Sequence, residues 1–243
     1  MRIKPEERLI VPLDVMTLQS AKKLLDTLSP AVKFFKIGCM LFTASGPAAV
    51  DEVKKRGCKV FLDLKYFDIP SVVAKSVQSL VRMDVDIFTI HTLGGFELME
   101  SVVKVLWNEK TKPIVLGVTI LTSINEAFLR DVLGTSDISL EEEVRRLAEM
   151  ARSAGVDGVV SSAFEIEHIK SICGENFVVL TPGIRPKGAE KFDQKRVLTP
   201  KEAIQKGADY IVVGRPIINA PEPLKVAESI IEEIRTASKE KNV

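Results

Sequence analysis

KVFLDLKYFDIPSVVAKSVQSLVRM, residues 59–83, is a strand and a helix joined by a short charged turn. Residues Lys59 to Lys65 are apolar enough for a buried strand, whereas Val72 to Met83 carry apolar residues at helical spacing. The same alternation recurs in both directions along the chain. Strands are expected at Leu9 to Asp14, Lys33 to Ile37, Lys59 to Lys65, Asp86 to His91, Ile114 to Thr119, Asp157 to Ser161, Phe177 to Thr181 and Asp209 to Gly214. Helices are expected at Thr17 to Leu28, Ala44 to Arg56, Val72 to Met83, Phe96 to Asn108, Leu140 to Ala154, Glu165 to Ile172, Pro200 to Lys206 and Pro223 to Thr236. Several strands are apolar almost throughout, as parallel strands buried on both faces are. Gly57, Gly155 and Gly207 stand where helices should end and feed strands. Eight such units in 243 residues predict an α/β fold, a (β/α)8 barrel of the TIM type, forming a single domain over residues 1–243. An open doubly wound sheet shares the alternation, but the first strand exit lacks the G-x-G-x-x-G turn.

Hydrophobic residues make up 46% and charged residues 28% of the chain, which is ordinary globular usage. With 34 Lys and Arg against 33 Asp and Glu, no global field recruits nucleic acid or a membrane surface. An anionic ligand must then be held by a local cluster. The three cysteines, Cys39, Cys58 and Cys173, form no C-x-x-C pair and are expected as buried small residues in a reducing compartment. Residues 1–8 lack a signal-peptide core and no apolar run approaches the ~20 residues that span a bilayer, so a cytoplasmic protein is expected. The one long connection, Gly183 to Val197, is polar and is expected to be a functional loop, whereas the tail Lys239 to Val243 is expected to fray.

Barrels of this kind build their sites at the carboxyl ends of the strands, and there the chain is charged. Asp14 ends the first strand, Lys36 lies near the end of the second, Asp63 and Lys65 end the third and His91 the fourth. Alternation aims Asp63 and Lys65 together into the barrel mouth and turns Leu62 and Leu64 toward the helices. A plain salt bridge explains that pair but says nothing of Lys36 or Asp68. Asp68 lies in the following turn, need not share their surroundings, and could serve a neighbouring subunit.

The D-x-K-x-x-D-I-P segment at 63–70, preceded by P-L-D ending at Asp14 and F-K-I-G around Lys36, resembles the orotidine 5′-phosphate decarboxylase family, most of all its bacterial branch. Leu121-Thr122-Ser123, the segments 158–163, 181–186 and 193–196, and Val213-Gly214-Arg215-Pro216-Ile217 resemble it in the same order, so the likeness runs from about Leu9 to Ile217. The resemblance implies conversion of orotidine 5′-phosphate to uridine 5′-phosphate and CO2 in pyrimidine biosynthesis, with no metal and no cofactor. It implies an alternating charged row of Lys36, Asp63, Lys65 and Asp68, the last given across a homodimer interface. In that row Lys65 would stabilise and protonate the carbanion at C6, while Asp63 would lie beside the departing carboxylate.

Asp14 and Lys36 would hold ribose hydroxyls. Thr122 is expected at the pyrimidine edge with Ser123 as rival, although either hydroxyl could instead cap the next helix. Phosphate is expected at the loops after strands seven and eight, on Gly214 and Arg215, with Arg185 and Gln194 closing from the long loop or serving only as solvated loop residues. One departure stands out: the family pattern continues D-I-P-N-T, whereas Pro70 here is followed by Ser71 and Val72, which puts the ribose contacts in question.

The two histidines, His91 and His168, show no zinc spacing; His91 is expected to make a structural hydrogen bond, and Trp107 with the sparse aromatics to pack helices. Related magnesium-dependent sugar-phosphate decarboxylases or aldolases also carry D-x-K-x-x-D but place a glutamate where Lys36 stands. A noncatalytic phosphate-binding barrel is the alternative from another class.

Overall fold

The computed structural model describes residues 3–135, 137–186 and 198–240. Strands β1 (Leu9–Pro12), β2 (Phe34–Gly38), β3 (Lys59–Tyr66), β4 (Ile87–His91), β5 (Ile114–Val118), β6 (Gly158–Val160), β7 (Val178–Thr181) and β8 (Tyr210–Val212) follow one another in strict order. All neighbours are parallel, and β8 closes on β1 through Leu9↔Ile211 and Ile10↔Val212. Around this closed barrel lie α1 (Pro5–Arg8), α2 (Leu18–Leu28), α3 (Cys39–Ser45), α4 (Pro47–Lys54), α5 (Pro70–Arg82), α6 (Gly95–Leu106), α7 (Ala127–Asp131), α8 (Leu140–Ser153), α9 (Ile166–Cys173), α10 (Pro200–Lys206), α11 (Arg215–Ile218) and α12 (Pro223–Glu240). The expected (β/α)8 barrel is therefore present, and each expected strand ends within two residues of its observed bounds.

Two cores divide the apolar side chains by parity. Val11, Phe35, Ile37, Val60, Leu62, Phe88, Ile90 and Val115 face outward into the layer between barrel and helices. Ile10, Phe34, Phe61, Ile87, Leu116, Leu180, Tyr210 and Val212 face inward and plug the barrel. Phe34 and Tyr210 meet there edge to face, their ring centroids 5.8 Å apart. Two residues beyond Phe34 and Phe61, the inward positions become Lys36 and Asp63. The same pleat thus supplies an apolar floor and a charged rim.

Strand starts are tied together by a repeated device. Asp86, Asp157 and Asp209 immediately precede β4, β6 and β8, and each carboxylate accepts the backbone N–H of the preceding strand, from Val60, Val115 and Val179, all at 2.8 Å. Asp86 also meets Lys54 at 3.1 Å, and Asp209 meets the buried Lys170 at 2.7 Å. For Asp157, burial outweighs the Val115 bond and pushes the carboxyl above its ordinary range.

Several expectations need correction. Ala44 to Arg56 is two helices, because Gly46 adopts φ 54° and Pro47, which cannot continue a helix, starts a new one. The short helices α1, α7 and α11 were not expected, and of the tail expected to fray, Lys239 and Glu240 continue α12 while residues 241–243 lie outside the described residues. Trp107 is 68% exposed at the end of α6, and Phe34 and Phe61 fill the barrel, whereas Phe35 and Phe88 do pack in the layer against the helices. Cys58 and Cys173 are buried, but Cys39 is exposed. Gly57, Gly155 and Gly207 do take positive φ after their helices, as expected.

Candidate active site

The rim is built by the ends of β1 to β3. Lys36 Nζ lies 3.0 Å from Asp14 Oδ1 and 3.6 Å from Asp63 Oδ2, and Lys65 Nζ lies 2.9 Å from Asp63 Oδ1. Asp14, Lys36, Asp63 and Lys65 therefore form one continuous row of alternating charge. The side chains of Lys36 and Asp63 are only 12% and 13% exposed, so their attraction is weakly screened.

Asp63 and Lys65 reach that row through an irregularity in β3. Leu62 pairs with Phe88 and Tyr66 with Ile90, so three residues of β3, Asp63 to Lys65, stand opposite Thr89 alone. Lys65 takes φ 51°, an uncommon region for a residue with a side chain. Its backbone N–H donates to Thr89 Oγ1 at 2.9 Å, and the same hydroxyl donates to Asp63 Oδ1 at 3.1 Å. Simple alternation predicts where these side chains point, but the extra residues let both carry charge beside a fully buried threonine.

The row opens on a cavity of about 340 Å³. Phe61, Leu180 and Val212 form its floor, Val118, Ile120 and Val160 its apolar wall, and Thr122, Ser123 and Ser161 its hydroxyl-bearing side. Thr122 and Ser123 do not cap the next helix; the side chain of Asn125 instead accepts from Ala127 N–H at 3.0 Å. Ser161 donates to Glu165 Oε2 at 2.6 Å, which fixes its direction.

Asp68 is exposed and absent from this cavity; its Oδ1 accepts from Ile69 N–H at 2.7 Å. His91 stacks at a tilt on Phe67, 5.7 Å between centroids, and its Nδ1 accepts from Leu93 N–H at 3.3 Å, the structural bond expected of it. Burial first, and the nearby Lys65 charge second, lower the His91 pKa, so the ring favours its neutral form. Among the described residues no three His, Cys, Asp or Glu side chains gather as a metal ligand set.

Beside β1, two residues beyond the end of β8, stands Gly214, after which α11 begins with Arg215. A Cβ at Gly214 would sit 2.8 Å from the Pro12 ring at Cγ, so any larger residue there would have to displace that ring. Arg185 is buried, and its N–H donates to the Leu198 carbonyl at 3.0 Å, joining the ends of the long connection. Gln194, and with it residues 187–197 of the expected phosphate-closing loop, lies outside the described residues.

Sequence reading missed Thr89 and Gly38. Thr89 was within reach, as the inward residue between Ile87 and His91. Gly38 was not: a Cβ there would fall 2.9 Å from Lys36 Nζ and 3.3 Å from Asp14 Oδ1, a conflict that appears only once the lysine's path is known.

Comparison with known proteins places the chain in a family. A family model described as "Orotidine 5'-phosphate decarboxylase / HUMPS family" matches residues 7–230. The orotidine 5′-phosphate decarboxylase of Moorella thermoacetica is 44% identical over 238 residues, covering 96% of this chain and 94% of that protein. That of Geotalea uraniireducens is 47% identical over 236 residues, covering 96% and 97%. The crystal structure of orotidine 5′-phosphate decarboxylase from Lactobacillus acidophilus superposes with a TM-score of 0.82 at 34% identity, covering 94% of this chain and 99% of that one.

Proposed function

Because this chain belongs to the orotidine 5′-phosphate decarboxylase / HUMPS family, we propose that it is a carboxy-lyase that converts orotidine 5′-phosphate to uridine 5′-phosphate and CO2 with no metal or organic cofactor. The observation that carries this reading is the alternating row Asp14, Lys36, Asp63, Lys65, of which Lys36, Asp63 and Lys65 line the cavity while Asp14 stands exposed at its end. The substrate carboxylate binds beside Asp63. As the bond from C6 to the carboxylate breaks, its electron pair stays on C6 and CO2 leaves. The Lys65 ammonium stabilises that charge and then transfers a proton to C6, after which solvent reprotonates the amine. Fixed charges in a site shielded from water need little rearrangement as charge develops, and this is where most of the rate arises.

Asp14 and Lys36 hold the ribose hydroxyls. Thr122 reads the pyrimidine edge, with Ser123 beside it as the second candidate; both line the cavity. Gly214 and Arg215 bind the phosphate at the start of α11, and Arg185 and Gln194 close over it from the loop at about 183–197. Val72, exposed on the first turn of α5, supplies no hydroxyl to the ribose.

The metal-dependent reading of the same fold is disfavoured by Lys36. Its ammonium sits between Asp14 and Asp63, where it repels a divalent cation and satisfies the carboxylates that would bind one.

Asp68 completes the site of a second copy in a twofold homodimer. It is exposed outside its own cavity and flanked by Phe67, Ile69 and Val72, which are 62%, 63% and 42% exposed, an apolar surface of the kind that subunits cover. The free cysteines and the lack, among the described residues, of a helix able to cross a membrane suit a cytoplasmic enzyme.

Orotidine 5′-phosphate added to the protein in excess EDTA should lose its orotate absorbance and yield uridine 5′-phosphate. No turnover, or turnover that appears only with added Mg²⁺, overturns this reading.

A further inference from the structure

The geometry points to Thr89 as a positioning residue for decarboxylation, one that sets Asp63 and Lys65 through a single hydroxyl without touching the substrate. The inference rests on the decarboxylase reading above. Thr89 is fully buried on the inward face of β4, opposite the three-residue irregularity of β3. A hydroxyl has one proton to give and lone pairs to receive with, and here both are engaged. It donates to Asp63 Oδ1 at 3.1 Å and accepts from Lys65 N–H at 2.9 Å.

Each bond constrains one partner. Asp63 Oδ1 also accepts from Lys65 Nζ at 2.9 Å, while Oδ2 faces Lys36 Nζ at 3.6 Å. The threonine proton therefore fixes the carboxylate plane between two ammonium groups. On the other side, Lys65 holds φ 51°, which costs a side-chain-bearing residue free energy and persists only where its surroundings enforce it. The Thr89 oxygen is what catches the Lys65 N–H inside this irregularity. Without the hydroxyl, Asp63 can rotate and the Lys65 backbone has no partner to hold it against the bulge.

Valine matches threonine in shape and lacks the hydroxyl; serine keeps the hydroxyl and lacks the methyl. Thr89→Val should lower kcat for orotidine 5′-phosphate by at least about tenfold, since small misplacements of reacting groups cost that much or more. KM and the affinity for uridine 5′-phosphate should stay within about threefold, because the phosphate and ribose contacts are untouched. Thr89→Ser should restore kcat to near the wild-type value. Amide hydrogen exchange gives a readout that does not depend on turnover: the Lys65 N–H should be protected in wild type and Thr89→Ser and exchange faster in Thr89→Val. If Thr89→Val does not fold, Thr89→Ala is read against the same expectations.

A wild-type protein without turnover sinks the decarboxylase reading and leaves the exchange result to judge the geometry. With an active wild type, the proposal is overturned by a hydroxyl-free variant that keeps kcat, by equal losses in the valine and serine variants, or by a loss that falls on KM instead.

Discussion

Lys36 shows how tightly single atoms are placed in this rim. Its ammonium passes over Gly38, where a methyl group would intrude at 2.9 Å, yet Gly38 has φ −97°, which alanine adopts freely. Gly38→Ala should therefore fold with a melting temperature near that of wild type but displace the ammonium and lower turnover by about tenfold or more; unchanged kinetics would show that Lys36 has another stable path. Lys65→Ala should lower kcat by about 10³-fold or more, through loss of both the proton donor and the charge nearest C6. Uridine 5′-phosphate should still bind it, since Gly214 and Arg215 follow β8, which β1 and β2 separate from β3, and near-normal turnover would remove Lys65 from the mechanism. Arg215→Ala should do the reverse and raise KM by about tenfold, the order of one lost charge-assisted bond, as read by steady-state kinetics.

The strands and helices differ in how much of them could be read from the chain. Strand identity was plain because inward and outward positions are both apolar below the rim, as in Phe34 with Phe35 and Phe61 with Leu62. Boundaries were less legible where one residue serves two elements. Asp86, Asp157 and Asp209 look like first residues of strands, but each turns aside to hold the strand before it. The irregularity in β3 left no sequence mark, because Asp63-Leu64-Lys65 alternates as any strand does; only the partner register reveals it. Lys36, Asp63 and Lys65 were legible as a charged rim, whereas the absence of Asp68 from its own cavity follows from the path of the turn.

The strand-start carboxylates also separate two costs of burial. Asp157→Asn keeps an acceptor for Val115 N–H and removes a charge that burial disfavours. A carboxyl with a raised folded pKa contributes stability below its unfolded pKa and loses it as pH rises through the folded one. The asparagine variant should therefore melt no lower than wild type at neutral pH, and its advantage should shrink as pH falls into the ordinary aspartate range. Asp209→Asn should instead cost about 3 kcal/mol by denaturant titration, because it strips the buried Lys170 of its counter-charge. Equal effects of the two changes would show that the carboxylates serve only as hydrogen-bond acceptors.

At the scale of the whole molecule, the proposed dimer predicts complementation. Lys65→Ala and Asp68→Ala should each be inactive alone. Mixed under subunit exchange, random pairing makes about half the dimers hybrid, and one site in each hybrid is whole, so roughly a quarter of the sites should recover. No recovery despite demonstrated exchange would place Asp68 in its own chain's site. The barrel itself adds a constraint on traffic. Among the described residues, Ile10, Phe34, Phe61, Ile87, Leu116, Leu180, Tyr210 and Val212 stopper its axis, so the cavity has a floor on the side away from the charged rim. In the reaction proposed here, CO2 is released next to Asp63, above that floor, with the nucleotide in the same cavity. The gas cannot drain through the bottom. It must leave on the rim side, past the nucleotide or after it, so the side that admits the reactant also meters the departure of both products.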